Sequence, residues 1–166
     1  MLAMTDAKFS DADEKPLRLI AESEEDLKVI SALLQDAVTR VGDIAWMKKR
    51  RRAALFVNRF RWEDEARAKA AGRPFERVRA VLLAAHVTAV RASGIDPSDP
   101  EMVLSVLSLT WERSNDDPED PSGALRITLA GDGEILIEAE YLDLRLEDVT
   151  RPYAAPSGKA PHHPQD

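Results

Sequence analysis

A run of five consecutive cationic residues is the most distinctive chemical feature of the sequence. The run consists of Lys48, Lys49, Arg50, Arg51 and Arg52. It leads into the segment AALFVNRFRWE, residues 53–63, in which Arg59 and Arg61 alternate with large apolar residues. Ammonium and guanidinium groups at this density can bind phosphate or carboxylate groups. Either the run contacts nucleic acid, or it is the solvated tip of a β-hairpin, which the pattern favours.

The alternation after the basic run argues against a surface for single-stranded nucleic acid. Such a surface needs aromatic rings and cations on the same side, whereas the side chains of a strand alternate between its two faces. One face is predicted to be core and carries Phe56, Asn58, Phe60 and Trp62. The other face is predicted to run from cover into solvent and carries Leu55, Val57, Arg59 and Arg61. The rings therefore lie opposite the arginines on this strand.

The charge of the chain is distributed unevenly. Residues 47–91 hold 13 Lys and Arg against 4 Asp and Glu, although the net charge of the whole chain is −7. This asymmetry can mark an electrostatic binding face, but we favour the simpler interpretation of one basic sheet edge beside acidic loops and tails. The overall negative charge opposes long-range attraction to nucleic acid.

Three polar residues, Asp43, Asn58 and His86, are candidates for the lining of a small pocket. If they converge, the pocket would suit an enzyme or a binder of a small acidic metabolite. A single histidine in a strand is more often a hydrogen-bonded structural residue than a base, and an inward polar residue usually finds a structural partner. The sequence has no G-x-S-x-G or H-E-x-x-H motif, so we predict no catalytic residue.

We also predict no metal site and no cofactor. The chain has no cysteine, which excludes disulfides and thiolate ligands. His162 and His163 are adjacent in a Pro-rich stretch, where two neighbouring ligands without further partners make no metal site. The acidic stretch NDDPED, residues 115–120, is typical of a solvated loop.

The candidate functional side chains must be positioned by helices and strands, and residues 23–38 give the clearest helix signal in the sequence. Ser23 is a good N-cap, and acidic residues at 24–26 complement the exposed amide groups of the first turn. Leu27, Ile30 and Leu34 form an apolar stripe, widened by residues 29 and 33. The pattern predicts a helix with one buried face.

The other segments predict strands joined mostly by turns. They are 15–23, 38–46, 53–62, 75–96 as one bent strand or two, 102–112, a hairpin at 124–142, and a short helix or strand at 143–150. No βαβ unit recurs, so a parallel sheet is not expected. We predict an α+β fold: one N-terminal helix on a bent, mostly antiparallel sheet or partial barrel of about six to seven strands, possible plans including a pleckstrin-homology-like one.

The predicted organisation is a disordered tail at 1–14, a single domain at 15–150 and a disordered Pro-rich tail at 151–166. We expect a cytoplasmic protein that does not enter the membrane. The sequence shows no secretory signal pattern, and its longest wholly apolar run is far shorter than the roughly 20 residues of a membrane helix.

Five segments resemble, in order, a family of small alphaproteobacterial proteins known as a domain of unknown function. They are LRLIAESEEDLKVISALLQDAV, VGDIAW, RRAALFVNRFRWE, VRASGID and LSVLSLTWE, spread over about residues 16–150. The resemblance implies a cytosolic bacterial protein. It implies no activity and no catalytic residues, and the stretch after Thr150 is expected to be unshared.

Three functional hypotheses follow from the sequence. The first is a non-enzymatic binding or interaction module whose partner is another protein or a second copy in a homodimer. The second is a nucleic-acid-binding accessory protein that uses the basic run with Arg59 and Arg61. The third is the enzyme or small-metabolite binder that requires Asp43, Asn58 and His86 to meet.

Overall fold

The computed structural model of the protein describes residues 16–156 and 160–161. The predicted N-terminal tail, residues 1–14, lies outside the described residues. Of the predicted C-terminal tail, the described part comprises 151–156 and 160–161.

The described residues form two α-helices and eleven strands. The helices are Glu24–Leu33 (α1) and Glu65–Ala71 (α2). The strands are Arg18–Ala21 (β1), Val38–Arg40 (β2), Ile44–Met47 (β3), Arg52–Phe60 (β4), Glu76–Ala84 (β5), Val87–Ser93 (β6), Val103–Arg113 (β7), Gly123–Leu129 (β8), Glu134–Ala139 (β9), Leu144–Asp148 (β10) and Tyr153–Ala154 (β11). Short 3₁₀ turns lie at Val41–Asp43, Lys48–Arg50 and Trp62–Asp64.

The strands form one antiparallel sheet in the order β1-β10-β5-β4-β2-β7-β8-β9-β6. Two short strands lie off this path, because β3 pairs with β4 and β11 pairs with β5. The sheet is open rather than closed. β1 and β6, the two ends of the order, are therefore edge strands.

The predicted fold class is wrong. The described chain is mostly antiparallel sheet, with eleven strands instead of about six to seven and only 18% helix, so neither an α+β fold nor a pleckstrin-homology-like partial barrel describes it. The strand count rises because the predicted arm 38–46 divides into β2 and β3 at the turn Val41–Asp43. The segments 143–150 and 151–156 each add another strand.

Helix α1 begins as predicted and ends earlier. The side chain of Ser23 accepts a hydrogen bond from the amide of Asp26, and Leu27, Ile30 and Leu34 are buried. The helix stops at Leu33 because the following residues join the sheet. The amide of Asp36, whose φ is 63°, donates to the carbonyl of Val106 at 2.8 Å. The chain thereby enters β2, and the predicted last turn is lost.

One cluster of buried side chains contains apolar residues of α1 and of nearly every strand. Helix α1 packs against β7 and β1. A second buried group lies outside this cluster and includes Phe60, whose ring centroid is 4.6 Å from that of Trp62 and 5.8 Å from that of Phe75. The carboxyl end of β4 is therefore covered on both faces.

Strand β7 changes the face it buries along its length. In a regular strand Val103, Leu107 and Leu109 would share one face, but Val103 and Leu107 are exposed and Leu109 is buried. The register against β8 shifts between Val106 and Ser108, which marks a β-bulge. A bulge adds one residue to one strand and so reverses the alternation beyond it.

The turn between β8 and β9 forms as predicted. Gly131 and Asp132 have φ values of 83° and 69°, which is the left-handed pair that tight hairpins require. Ile127 lies opposite Ile135 across the hairpin.

Candidate interaction surface

The basic run Lys48–Arg52 is the tip of the hairpin formed by β3 and β4, as the sequence favoured. Met47 and Arg52 face each other across the two strands. Between them, the 3₁₀ turn Lys48–Arg50 is followed by Arg51 at a φ of 56°, which closes the turn. All five side chains of this basic tip are exposed.

One residue of the basic tip is held in place by the neighbouring loops. Nη2 of Arg51 donates to Oε1 of Glu140 at 2.5 Å, and the amide of Val87 donates to the carbonyl of Arg51 at 2.9 Å. The other four cations of the tip, Lys48, Lys49, Arg50 and Arg52, make no ion pair with a carboxylate of the described residues. The tip thus combines a fixed backbone with uncompensated positive charge.

Arg59, which the sequence predicted as a candidate contact for nucleic acid, is fully buried. Its Nε and Nη2 donate to the two carboxylate oxygens of Asp148, both at 3.0 Å. Its Nη1 and Nη2 donate to the two oxygens of Glu63, at 2.9 and 2.7 Å. The last bond runs from Nη1 to the carbonyl of Phe60 at 3.3 Å. Every N–H of the guanidinium is therefore used.

The ion pair with Arg59 favours the charged form of Glu63. Burial by itself would raise the pKa of the Glu63 carboxyl, but the hydrogen bonds and charge of Arg59 outweigh this and hold that pKa below its ordinary value. Burial would likewise lower the pKa of Arg59, and the bonds to Glu63 and Asp148 raise it instead. The cluster is a structural clamp between β4, β10 and the chain that follows β4.

Arg61 is also engaged within the protein. Its side chain is only 13% exposed and reaches Glu76 at 3.1 Å and Asp64 at 3.6 Å. Arg73 binds both carboxylate oxygens of Asp64 at 2.6 Å, and these bonds lower the pKa of that carboxyl. The predicted contact of Arg61 with nucleic acid therefore has no support in the geometry.

A groove of about 550 Å³ lies on the outer face of the sheet, across β4 between β2 and β5. Phe56, Val103 and Val149 line it and are 51%, 63% and 55% exposed. They are three of the seven large apolar residues that are exposed in the described chain. We call this feature the Phe56 groove; its other lining residues include Val38, Arg40, Asp43, Asn58, Arg79 and Thr150.

The predicted orientation of β4 was inverted. Leu55, Val57 and Arg59 face the core, whereas Phe56 faces solvent. The inversion is possible because Glu63 and Asp148 satisfy the buried guanidinium, so an arginine occupies a position that the sequence alone would assign to solvent.

Arginines surround the apolar residues of the outer face. Residues opposite each other in antiparallel strands share a face. The row through Phe56 therefore contains Val81, Glu147 and Arg18, and the row through Ala54 contains Leu83, Arg145 and Ile20. Arg79 lies opposite Asn58. Arg18, Arg79 and Arg145 are all exposed, so the outer face is both apolar and basic.

The three predicted pocket residues do not share one site. Asp43 and Asn58 both line the Phe56 groove, but His86 does not. Asp43 pairs with Arg40 at 3.4 Å. The amide of Asn58 donates to the hydroxyl of Tyr153, and its oxygen accepts a bond from Arg77 at 3.4 Å. Two members of the set are therefore largely occupied by structural partners.

His86 lies in the turn between β5 and β6 rather than within a strand. Its φ is 57°, and its ring stacks on that of Tyr141 with a centroid distance of 4.2 Å. Its Nε2 is 2.6 Å from the hydroxyl of Tyr141 and 3.4 Å from a carboxylate oxygen of Asp143. These contacts fix the ring in the turn, as expected for a structural histidine.

Two searches of the described residues bear on the kind of site. No group of three or more His, Cys, Asp or Glu side chains in this part of the chain is arranged to hold a metal ion. None of the helices described has the length and apolar character needed to span a bilayer.

Comparison with known proteins gives one match. The family described as "Protein of unknown function (DUF2948)" matches residues 17–163. The chain belongs to this family. No curated protein matches the chain, and no solved structure does. The DUF2948 match includes the basic tip and the whole Phe56 groove, and it extends past Thr150, where the sequence resemblance was expected to end.

Sequence reasoning missed the residues that define the groove of this DUF2948 protein. Phe56 was assigned to the core because the predicted orientation of β4 was inverted, and the sequence analysis did not single out Val103. Leu55 and Val57, which alternate with Phe56, mark the face of β4 that is in fact buried. Glu63, four positions after Arg59, was the one sequence feature that could have indicated an ion-pair partner for this arginine.

Proposed function

We propose that the protein is a non-catalytic binding module that holds an extended segment of another protein in the Phe56 groove. The observation that supports this most directly is the half-exposed ring of Phe56 beside exposed Val103 and Val149. Contiguous apolar side chains on the surface, rimmed by polar groups, mark interaction sites. An aromatic anchor of this kind is typical of the residues that dominate binding energy.

The shape of the groove favours a segment over a small molecule. Small-molecule sites enclose most of the ligand surface. Here the apolar wall residues Phe56, Val103 and Val149 are themselves half exposed, so the groove covers one side of its occupant and leaves the other side free. That arrangement suits a chain segment whose other face remains in contact with its own protein or with water.

The compartment that we propose for this binding is the cytoplasm of a bacterium. The resemblance to alphaproteobacterial proteins supports a bacterial source, and a chain without cysteine is compatible with a reducing compartment. Fractionation of the native cell should recover the full-length protein with cytoplasmic markers. Recovery with envelope markers would contradict this assignment.

Selection from a display library of random peptides tests the binding function. We expect peptides that bind the full-length protein and lose at least about tenfold in affinity with Phe56→Ser, because the ring is the central apolar anchor. Fluorescence anisotropy of the selected peptides measures the change.

A matched control separates the groove from general surface hydrophobicity. Val29 on α1 is 54% exposed and Val149 in the groove is 55% exposed. Val149→Ser should weaken the selected peptides, and Val29→Ser should leave their affinity unchanged. Failure to select any peptide, or affinities indifferent to Phe56→Ser, would overturn the proposed function.

A further inference from the structure

Arg52 of the basic tip and Phe56 of the groove lie on the same face of β4, with the buried Ala54 between them. Successive side chains of a strand alternate, so Arg52, Ala54, Phe56 and Asn58 share the outer face. Phe56 lies four positions after Arg52, which is about 13 Å along an extended chain. An occupant that lies along β4 with one residue on Phe56 therefore reaches the tip within about four further residues.

The charge of this face selects the chemistry of the occupant. Four cations of the tip have no ion-pair partner among the described residues, and Arg79 and Arg145 extend the positive charge along the outer face. Glu147 is the acidic residue in the row through Phe56. The face is thus locally positive on a molecule whose net charge is −7.

The same charge argues against a second copy that presents this face. In a two-fold symmetric dimer, a surface meets its own copy, so the two basic tips or the two arginine rows would approach each other. Like charges across an interface are unfavourable and suppress such pairings. Complementarity therefore requires an acidic partner.

We propose, on the basis of the binding function above, that the groove takes an acidic segment of a partner protein with a defined spacing. An apolar residue of the segment lies on Phe56, and a cluster of Asp or Glu residues about four positions away contacts Lys48, Lys49, Arg50 and Arg52. The apolar contact supplies affinity, and the charges set direction and partner choice.

The selected peptides test this spacing directly. They should be enriched in Asp and Glu at about four positions from an apolar residue. Their affinity should fall with rising salt, and the double variant Lys48→Ser/Lys49→Ser should weaken them about tenfold, since it removes two of the exposed cations that pair with the acidic cluster. Lys28→Ser/Lys69→Ser removes the same charge from the exposed faces of α1 and α2 and should have little effect.

Each other outcome has a distinct meaning. Peptides that depend on Phe56 but show no acidic excess and no loss with Lys48→Ser/Lys49→Ser would overturn this inference and leave the binding function standing. Peptides indifferent to Phe56→Ser would overturn both. If labelled single-stranded RNA bound more tightly than the peptides, and if this binding required the basic tip, the proposal of a protein partner would be overturned. If sedimentation showed self-association that Phe56→Ser abolishes, the occupant of the groove would be a second copy of this chain instead of a partner protein.

Discussion

Arginine side chains in this protein have two separate roles, and burial decides between them. Arg59 is fully buried and uses all of its donors within the fold, whereas Arg52, on the same strand, is exposed. A buried guanidinium is tolerated only when carboxylates and carbonyls satisfy it. The segment NRFRWE therefore has a structural role within the fold. The indole of Trp62 in this segment also donates a hydrogen bond to the carbonyl of Gln35, at 2.9 Å.

Replacement of the buried arginine should be severe. Arg59→Met leaves Asp148 buried without its partner, and we expect a loss of about 3–5 kcal/mol in the free energy of unfolding, measured by urea denaturation. Arg52→Met is the control on the same strand and should change stability by no more than about 0.5 kcal/mol. Equal midpoints for the two variants would contradict the clamp.

Asp64 should contribute a pH-dependent part of the stability. Hydrogen bonds from Arg73 hold the pKa of this carboxyl below its ordinary value of 3.8. A lowered pKa in the folded state gives stability that is present above the unfolded pKa and lost as the pH falls through the folded one. Asp64→Asn should therefore be less stable at neutral pH, and its stability should fall less steeply below about pH 5.

Denaturation curves at a series of acidic pH values measure this difference. Asp116→Asn, in the exposed acidic loop, is the control. If Asp64→Asn and the wild type lost stability in parallel on acidification, the Asp64–Arg73 pair would not be coupled to folding.

The elements of the fold were predictable to different degrees. Period-two patterns located most strands, and the cap at Ser23 located α1, because these signals lie within a few neighbouring residues. The break between β2 and β3 depends on a distant contact, since Gly42 donates to the carbonyl of Pro100 at 2.9 Å. The bulge in β7 and the partnership of Arg59 with Asp148 likewise depend on residues far away in sequence, which no local pattern reports.

Close approach between β7 and β8 makes Gly123 a sensitive position. A Cβ there would lie 2.5 Å from the carbonyl oxygen of Glu112 and 2.6 Å from the ring of Trp111. Gly123→Ala should lower the free energy of unfolding by about 1–3 kcal/mol, because backbone and ring must shift. Thermal denaturation measures the loss.

Gly72 is the comparison, since its φ is 64° and a Cβ there meets nothing within 4 Å. Gly72→Ala carries only the conformational strain, of about 1–2 kcal/mol. If Gly123→Ala were as stable as the wild type, the tight packing of these two strands would be disproved.

At the scale of the whole molecule, the charge asymmetry read from the sequence has a physical location. The cations of residues 47–91 include the buried Arg59, paired arginines such as Arg61 and Arg73, and exposed groups, namely the basic tip, Lys69 and Arg79. Only part of the apparent basic region is therefore available to a partner. The single-domain division of the chain remains a prediction. Beyond its predicted boundary at Thr150, Tyr153–Ala154 pairs with β5 and Ala155 is buried.

Truncation tests that boundary. Removal of residues 152–166 takes away β11 and the hydroxyl of Tyr153 that Asn58 binds. We expect a loss of about 2–3 kcal/mol in the free energy of unfolding, whereas Tyr153→Phe should lose about 1 kcal/mol for the hydrogen bond alone. A truncated protein with unchanged stability would show that the segment is an expendable tail.

The pairing of β1 with β10 has a consequence for biosynthesis. The amide of Leu17 donates to Asp148, 131 residues later, and among the described strands β1 pairs with β10 alone. At ~5–20 residues per second, a ribosome takes roughly 7 to 26 seconds to make the intervening chain. During that time the apolar strand β1 lacks its partner β10. The charge of Arg18 within β1 is expected to protect the nascent strand from aggregation.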